Sequence, residues 1–309
     1  MQFAPVVLFV YNRADHFTET FRALSACPEA AETELFIFAD GPKNDADREK
    51  VDRCRNAVRE AAKNSVFKSV TVTEAPQNKG LAASVIGGVT EVLGRFGSAV
   101  VLEDDSVCAP CFLHFMNGAL TAFRDDRRVG AIAGYTPALS FPEDYTADIF
   151  TCWRSCSSAW ATWADRWEDV DWELKHIGDF YRNTALIRKL NADGGDRFLR
   201  LYRQTQAGGS SWSVRFGAHL VKNDMLTVYP RYSLVKNIGC DESGVHSTAR
   251  DAKSMEVDLA KAIPDAKIEF IPRDPRIGKL LRRHYSGGLL SDIKRSAATG
   301  LLTVKGRLK

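Results

Sequence analysis

Residues 98–105 read Ser-Ala-Val-Val-Leu-Glu-Asp-Asp. A short apolar run that ends abruptly in three carboxylates predicts a strand buried on both faces, as in a parallel sheet. The runs upstream have the same character. Val6–Tyr11 and Leu35–Phe38 are continuously apolar, and Val66–Val72 alternates as a further strand. Helical stretches separate them. Asp15–Ser25 spaces Phe17, Phe21 and Leu24 at helical intervals, Asn44 opens a polar helix through about residue 63, and Leu81–Leu93 is an apolar helix. The order β-α-β-α-β-α-β predicts an open parallel sheet with helices on both faces. Ligands bind such sheets at the carboxyl ends of the strands. Asn12-Arg13, Asp40-Gly41 and Glu103-Asp104-Asp105 all fall at those ends.

Three adjoining carboxylates repel one another unless a cation or solvent relieves them. Two readings follow for Glu103, Asp104 and Asp105: a divalent metal with oxygen ligands, which would bring a phosphate with it, or a solvated acidic turn. Asp40 can accept from a ribose hydroxyl or a base N–H, or can simply form a turn before Gly41-Pro42. Arg13 can pair with phosphate or brace Asp40. The loop Tyr11-Asn12-Arg13-Ala14-Asp15 has no glycine, so a GxGxxG dinucleotide site is excluded, and no P-loop occurs anywhere in the chain.

Beyond residue 110 the pattern changes. Phe112–Phe123 predicts a helix; Val129–Ala133, Leu226–Tyr229 and Tyr232–Val235 predict strands. Five tryptophans crowd between Cys152 and Trp172, and Trp160, Trp163 and Trp167 are spaced as along one helix face. Tryptophan faces stack on the C–H side of pyranose rings. Trp163 and Trp167 are expected in the core, Trp160 and Trp212 nearer a pocket, with Arg215 a candidate for a diphosphate or an acidic acceptor.

The chain has 42 Lys/Arg against 39 Asp/Glu. That balance excludes a nucleic-acid coat. It hides an asymmetry: from Arg273 onward there are ten bases and two acids. The apolar start is shorter than a signal-peptide core, and no run is long enough to span a membrane. Seven cysteines, an odd number, fit a reducing cytoplasm. The Cys108/Cys111 pair lacks the partners of a zinc site, so buried or incidental thiols are expected.

Four segments together resemble the nucleotide-binding half of GT-A fold glycosyltransferases: PVVLFVYNR (5–13), ELFIFADGP (34–42), NKGLAASV (78–85) and VVLEDDSVCAPCFLHF (100–115). The Glu-Asp-Asp form, followed by Pro and an aromatic residue, is closer to N-acetylglucosaminyltransferase I than to the Asp-x-Asp of glycosyltransferase family 2. SAWATWADRW (158–167), SSWSVRF (210–216) and YPRYSLVKNIGCDESGVHS (229–247) resemble bacterial relatives that build lipopolysaccharide and other surface glycans. The resemblance covers about residues 4–250.

It implies an α/β, GT-A (nucleotide-diphospho-sugar transferase, Rossmann-like) single domain with a mostly parallel central sheet. Residues 1–110 would form its nucleotide-sugar-binding half, 111–272 its acceptor-binding half, and 273–309 a basic, helical C-terminal tail. It further implies a metal-dependent, inverting enzyme that moves a hexosyl or N-acetylhexosaminyl group from a nucleotide-sugar, a UDP-sugar first, to a glycan or lipid-linked acceptor. Asp40 would bind uridine with Asn12 and Arg13 beside it. Lys79 and Gly80 would line the donor pocket. Asp105 and His246 would ligate Mn2+ or Mg2+, Asp104 would touch ribose or sugar, and Glu103 the sugar or its local hydrogen bonds.

An inverting transferase also needs a carboxylate base. The expected acidic position beside Trp212 is Ser213. The base candidates are therefore Asp165, then Glu168, Asp169 and Asp171, with Asp241 and Glu242 as alternatives. The expected location is the cytoplasm, with the basic tail able to meet the inner face of the membrane. Two other functions remain open: a sugar nucleotidyltransferase, which the glycine-free first loop disfavours, and a non-catalytic nucleotide-sugar-binding protein, which Ser213 motivates.

Overall fold

A computed structural model describes residues 3–206, 209–240, 256–286, 294–295 and 297–303. The strands are β1 (Val6–Val10), β2 (Glu34–Ala39), β3 (Ser69–Glu74), β4 (Ser98–Glu103), β5 (Ser106–Cys108), β6 (Val129–Ala133), β7 (Ile149–Cys152), β8 (Ala159–Trp163), β9 (Leu226–Pro230) and β10 (Val235–Asn237). Eight of them form one sheet in the order β3-β2-β1-β4-β8-β6-β9-β7. β1 is parallel to β2 and β4, and β2 to β3. β8 runs antiparallel between β4 and β6, β9 is parallel to β6, and β7 closes the edge antiparallel to β9. This is the mostly parallel α/β sheet that the alternation of strands and helices predicted. The remaining two strands form an antiparallel ribbon, Val235 against Cys108 and Asn237 against Ser106.

The helices cover both faces. On one side lie α1 (Ala14–Ser25), α2 (Asp45–Lys63) and α4 (Phe112–Ala122), burying Phe17, Cys54, Val58 and Phe115 against Val6, Leu8, Leu35 and Val100. Asn44 caps α2, its side chain accepting from Asp47 N at 3.1 Å. On the other side α3 (Leu81–Phe96) and α9 (Trp212–Lys222) bury Val85, Val89, Phe216 and Leu220 against Val7, Phe9 and Val101. The opposite stripe of α9, Val214, Ala218 and Val221, packs on α6 (Gly178–Arg182), α7 (Thr184–Asn191) and α8 (Arg197–Arg203) in a smaller cluster. A turn of helix, α5 (Ala164–Trp167), follows β8.

One expectation changes here. The tryptophan spacing is not one helix face, because Ala159–Trp163 is a strand. Successive strand side chains point to opposite faces, so Trp163 joins the α4 side and Trp160 the α3 side. The region after residue 273 also supplies core. Helix α10 (Pro275–Ser286) buries Ile277 and Leu281, and Arg273 pairs with the fully buried carboxylate of Asp193 at 2.5 Å. Arg276 pairs with Asp144 at 2.7 Å. The basic segment up to residue 286 is therefore docked on the acidic body. No helix among the described residues is long and apolar enough to cross a membrane.

Candidate functional site

The parallel strands deliver their polar ends to one edge. Phe9 of β1 pairs with Glu103 of β4, so the loop after β1 stands beside the acidic cluster. Arg13 Nη2 donates to Asp104 Oδ1 at 2.6 Å and to Asp105 Oδ2 at 2.9 Å. Tyr11 N donates to Asp104 Oδ2 at 3.3 Å, and Thr20 Oγ1 to the Asp104 carbonyl at 2.8 Å. From the β10 ribbon, Asn237 Nδ2 donates to Asp105 Oδ1 at 3.0 Å and Ile238 N to the Asp105 carbonyl at 2.9 Å. The cluster is thus held by three separate segments of chain.

Its electrostatics are uneven. Burial, and then Asp105 and Asp104, push the Glu103 carboxyl up to about 8. Burial also raises Asp104, although Arg13 opposes it. Burial disfavours the Arg13 cation, but the two aspartates outweigh that and hold it more firmly charged. One guanidinium therefore serves two aspartates, and Glu103 holds its proton more tightly than an ordinary carboxyl.

Arg13, expected beside Asp40, spans Asp104 and Asp105 instead. Asp40 binds its own loop. Its Oδ1 accepts from Gly41 N and Lys79 N, each at 2.8 Å, and its Oδ2 from Gly80 N at 3.0 Å and Asn78 Nδ2 at 3.1 Å. Those four bonds tie the end of β2 to the loop before α3. A cleft of about 210 Å3 opens beside them, lined by Phe38, Asp40, Thr73, Lys79, Ser84 and Gly88 among others. Asn12 lies half-buried in the loop that carries Arg13.

Other expected residues do not come to this edge. Trp163 pairs with Ser98, at the start of β4, so Asp165 sits at the opposite end of the sheet from Asp105. Arg166 Nη1 contacts both its oxygens at 2.7 Å, and Arg124 and Arg127 reach it at 3.0 and 2.9 Å. Burial works against its ionised form, but the hydrogen bonds from Arg166 and Arg124 prevail and lower its pKa. A base needs proton affinity, and this environment removes it. Trp160 and Trp212 are buried, their rings stacked on each other at 4.9 Å, so neither offers a face to a sugar. Arg215 donates to the Gly209 carbonyl at 2.9 Å. The Ser213 hydroxyl lies 3.4 Å from that of Ser211. His246, Asp241 and Glu242 lie outside the described residues. Asn237 was missed as a site residue. Its signal was a polar residue closing a short strand just before Ile238-Gly239.

The donor set tests the expected cation. All the ligating atoms that Asp104 and Asp105 offer are oxygens, which suits Mn2+ or Mg2+. Two aspartates alone are too few, and among the described residues no group of three His, Cys, Asp or Glu forms a metal cage. That incompleteness fits an ion shared with substrate phosphates, the usual arrangement for Mg2+.

Fold and edge together define an α/β chain with a mostly parallel sheet and an arginine-braced acidic cluster where such sheets take their ligands. No protein-family model matches the sequence, and no curated protein matches it. Among solved structures, TarS of S. aureus is similar at 15% identity, with a TM-score of 0.39, over 62% of this chain and 34% of that one. This chain thus spans about a third of the length of TarS. A mannosyltransferase of Pyrobaculum calidifontis, in complex with GDP-Man and Mn2+, is similar at 15% identity, with a TM-score of 0.46, over 99% of this chain and 81% of that one.

Proposed function

We propose that this chain is a glycosyltransferase that takes a nucleotide-diphospho-sugar, UDP-linked, and passes its hexosyl or N-acetylhexosaminyl group with inversion to a glycan or lipid-linked acceptor in the synthesis of bacterial lipopolysaccharide or related surface polysaccharide. The observation that carries this reading is the Glu103-Asp104-Asp105 cluster at the carboxyl end of β4, braced by Arg13 from the end of β1. The resemblance of the surrounding motifs supports it.

Asp105, with His246, would hold Mn2+ or Mg2+, which when bound offsets the charge developing on the departing diphosphate. Arg13 shares that task from the protein's side. Asp104, braced by Arg13, faces the ribose or sugar, and Glu103 meets the sugar or its local hydrogen bonds. Lys79 and Gly80, fixed by Asp40, frame the uridine with Asn12. The acceptor hydroxyl attacks the anomeric carbon as the carbon–diphosphate bond breaks, and its proton passes to a carboxylate. Asp241 takes that role in our reading. It stands two residues beyond Gly239, whose Cα approaches Asp105 so closely that a methyl there would collide with the carboxylate. The exposed bases Lys279 and Arg283, with the chain beyond residue 286, supply contact with the inner face of an anionic membrane.

Thermal-shift screening against UDP-, GDP- and dTDP-sugars, with and without Mn2+, tests the proposal. Stabilisation by a UDP-sugar and loss of donor hydrolysis in Asp105→Ala are expected. A fully active Asp105→Ala overturns it.

A further inference from the structure

Two arginines, Arg197 buried and Arg154 half-buried, have no role in the site above. Arg197, at the start of α8, is 5% exposed. Its Nη2 donates to Ser155 Oγ at 3.1 Å and to the Ser213 carbonyl at 3.2 Å. Arg154 lies in the loop from β7 to β8, with its guanidinium 3.5 Å from the Tyr285 ring centroid and its Nη1 buried without a hydrogen-bond partner.

The two side chains share one small space. A methyl on Gly194 would lie 2.5 Å from Arg154 Nη1 and 3.2 Å from Arg197 Cγ. A methyl on Gly217 would lie 2.8 Å from Arg197 Nη2 and 2.6 Å from Ser155 Oγ. A side chain at either glycine would have to displace a guanidinium group.

The local carboxylates are committed elsewhere. Asp196 pairs with Arg200 at 2.8 Å, and Asp193 with Arg273 at 2.5 Å. Among the described residues neither Arg154 nor Arg197 has an ion-pair partner. Burial, followed by Arg154 and Arg200, pulls Arg197 down to about 9. Two desolvated cations side by side without an anion are costly, and an oxyanion would relieve both at once.

A third buried polar group without a partner lies within electrostatic reach of Arg154. The Tyr135 hydroxyl is buried with no partner, on a residue that is 5% exposed. Tyr135 follows β6 at the ligand edge, and after burial the groups that act on it are Tyr285, Cys156, Cys240 and Arg154. Cys240 belongs to the loop that brings Asn237 to Asp105.

We propose that Arg154, Arg197 and the Tyr135 hydroxyl form a subsite for an oxyanion, a phosphate or carboxylate carried by the acceptor. The arginine pair binds the oxyanion as a planar, multidentate clamp. The donor's diphosphate is the other source of the same chemistry. It is disfavoured because the cluster meets Arg13 on the β1 side of β4, whereas Arg154 belongs to the β7–β8 connection across the sheet. Calling the ligand an acceptor rests on the glycosyltransferase reading; the oxyanion site itself does not.

The test uses the full chain. Crystals soaked in selenate are expected to show anomalous density within hydrogen-bond distance of Arg154 Nη1. In thermal-shift titrations with inorganic phosphate, Arg154→Gln should weaken the apparent affinity roughly tenfold or more, and Tyr135→Phe roughly threefold. Phosphate should still bind in saturating UDP. Selenate found only beside Arg13, or equal phosphate affinity in wild type and Tyr135→Phe, overturns the subsite. Displacement of phosphate by UDP overturns its assignment to the acceptor. Tyr135→Phe loses no hydrogen bond seen in the fold, so it keeps the test decisive even where Arg154→Gln fails to fold. Selenate bound at Arg154 in a protein that ignores every nucleotide-sugar would leave the subsite standing and remove the transferase reading.

Discussion

Replacing Asp165 by Asn separates a structural carboxylate from a catalytic one. Asp165 holds Arg166, whose side chain is 0% exposed and whose Nη2 also donates to the Arg124 carbonyl at 2.7 Å. Stripping the partner from a buried charge costs roughly 3–5 kcal/mol. Asparagine keeps one acceptor oxygen, and Asp165 is itself 22% exposed, which brings the expected loss to about 2 kcal/mol. The exposed pairs with Arg124 and Arg127 add at most about 1 kcal/mol. Unfolding entropy of about 2.1 cal/mol/K per residue, over 309 residues, is roughly 0.65 kcal/mol/K, so Tm should fall by about 3 °C. The pH dependence has a definite sign. The folded carboxyl titrates below its ordinary value of 3.8, so its stabilisation is present above that value and is lost as pH falls through the lower folded value. The wild-type and Asp165→Asn melting curves, followed by circular dichroism, should differ at pH 7 and converge in strong acid. Donor hydrolysis per folded molecule should be unchanged. An unaltered Tm with abolished turnover would refute the structural assignment and restore Asp165 as the base.

Arg13→Ala leaves Asp104 and Asp105 without their internal cation, so its Tm in EDTA should fall and Mn2+ should raise it by more than in wild type; equal shifts would show that ion and guanidinium do not compete for the same charge. Gly239→Ala would drive a methyl into the Asp105 carboxylate and Arg13 Nη1, and a displacement of about 1 Å there should lower turnover roughly tenfold to a hundredfold with little change in Tm. Arg273→Leu strands the buried Asp193 carboxylate, which still accepts from Trp153 N at 2.7 Å. Urea unfolding should register a loss of roughly 3 kcal/mol, whereas an unchanged midpoint would mean that the basic segment is not anchored to the body.

The first half of the fold was legible because its strands are buried on both faces and are bounded by polar turns. β1, β2 and β4 fall within a residue or two of the apolar runs that predicted them. β3 is displaced toward Glu74, since its exposed edge positions alternate over a wider window than the strand occupies. The tryptophan segment misled because spacings of three and four also arise when a strand passes directly into a helical turn at Ala164. β7, buried yet only four residues long, lacks the length that separates a strand from an apolar loop. At the site, Glu103-Asp104-Asp105 stood out as charges ending an apolar run. That Arg13 would choose Asp104 over Asp40 depends on which strand lies next to β1, and pairing across 90 residues leaves no local mark. The burial of Trp160 and Trp212 is likewise a tertiary fact: each covers the other.

The place of β8 also bears on how the chain is made. β4 is complete at Glu103, but the strand that covers its free edge begins at Ala159. At about 5–20 residues per second, a ribosome takes roughly 3–11 s to supply the intervening segment. During that interval β4 exposes an unpaired, apolar edge, the kind that recruits other chains. β6 cannot shield it, since β6 reaches the sheet only through β8. Yield during synthesis should therefore depend on how fast residues 104–163 emerge and on whether a chaperone guards that edge, and substitutions that slow β8 docking would lower recovery without changing the stability of the finished protein.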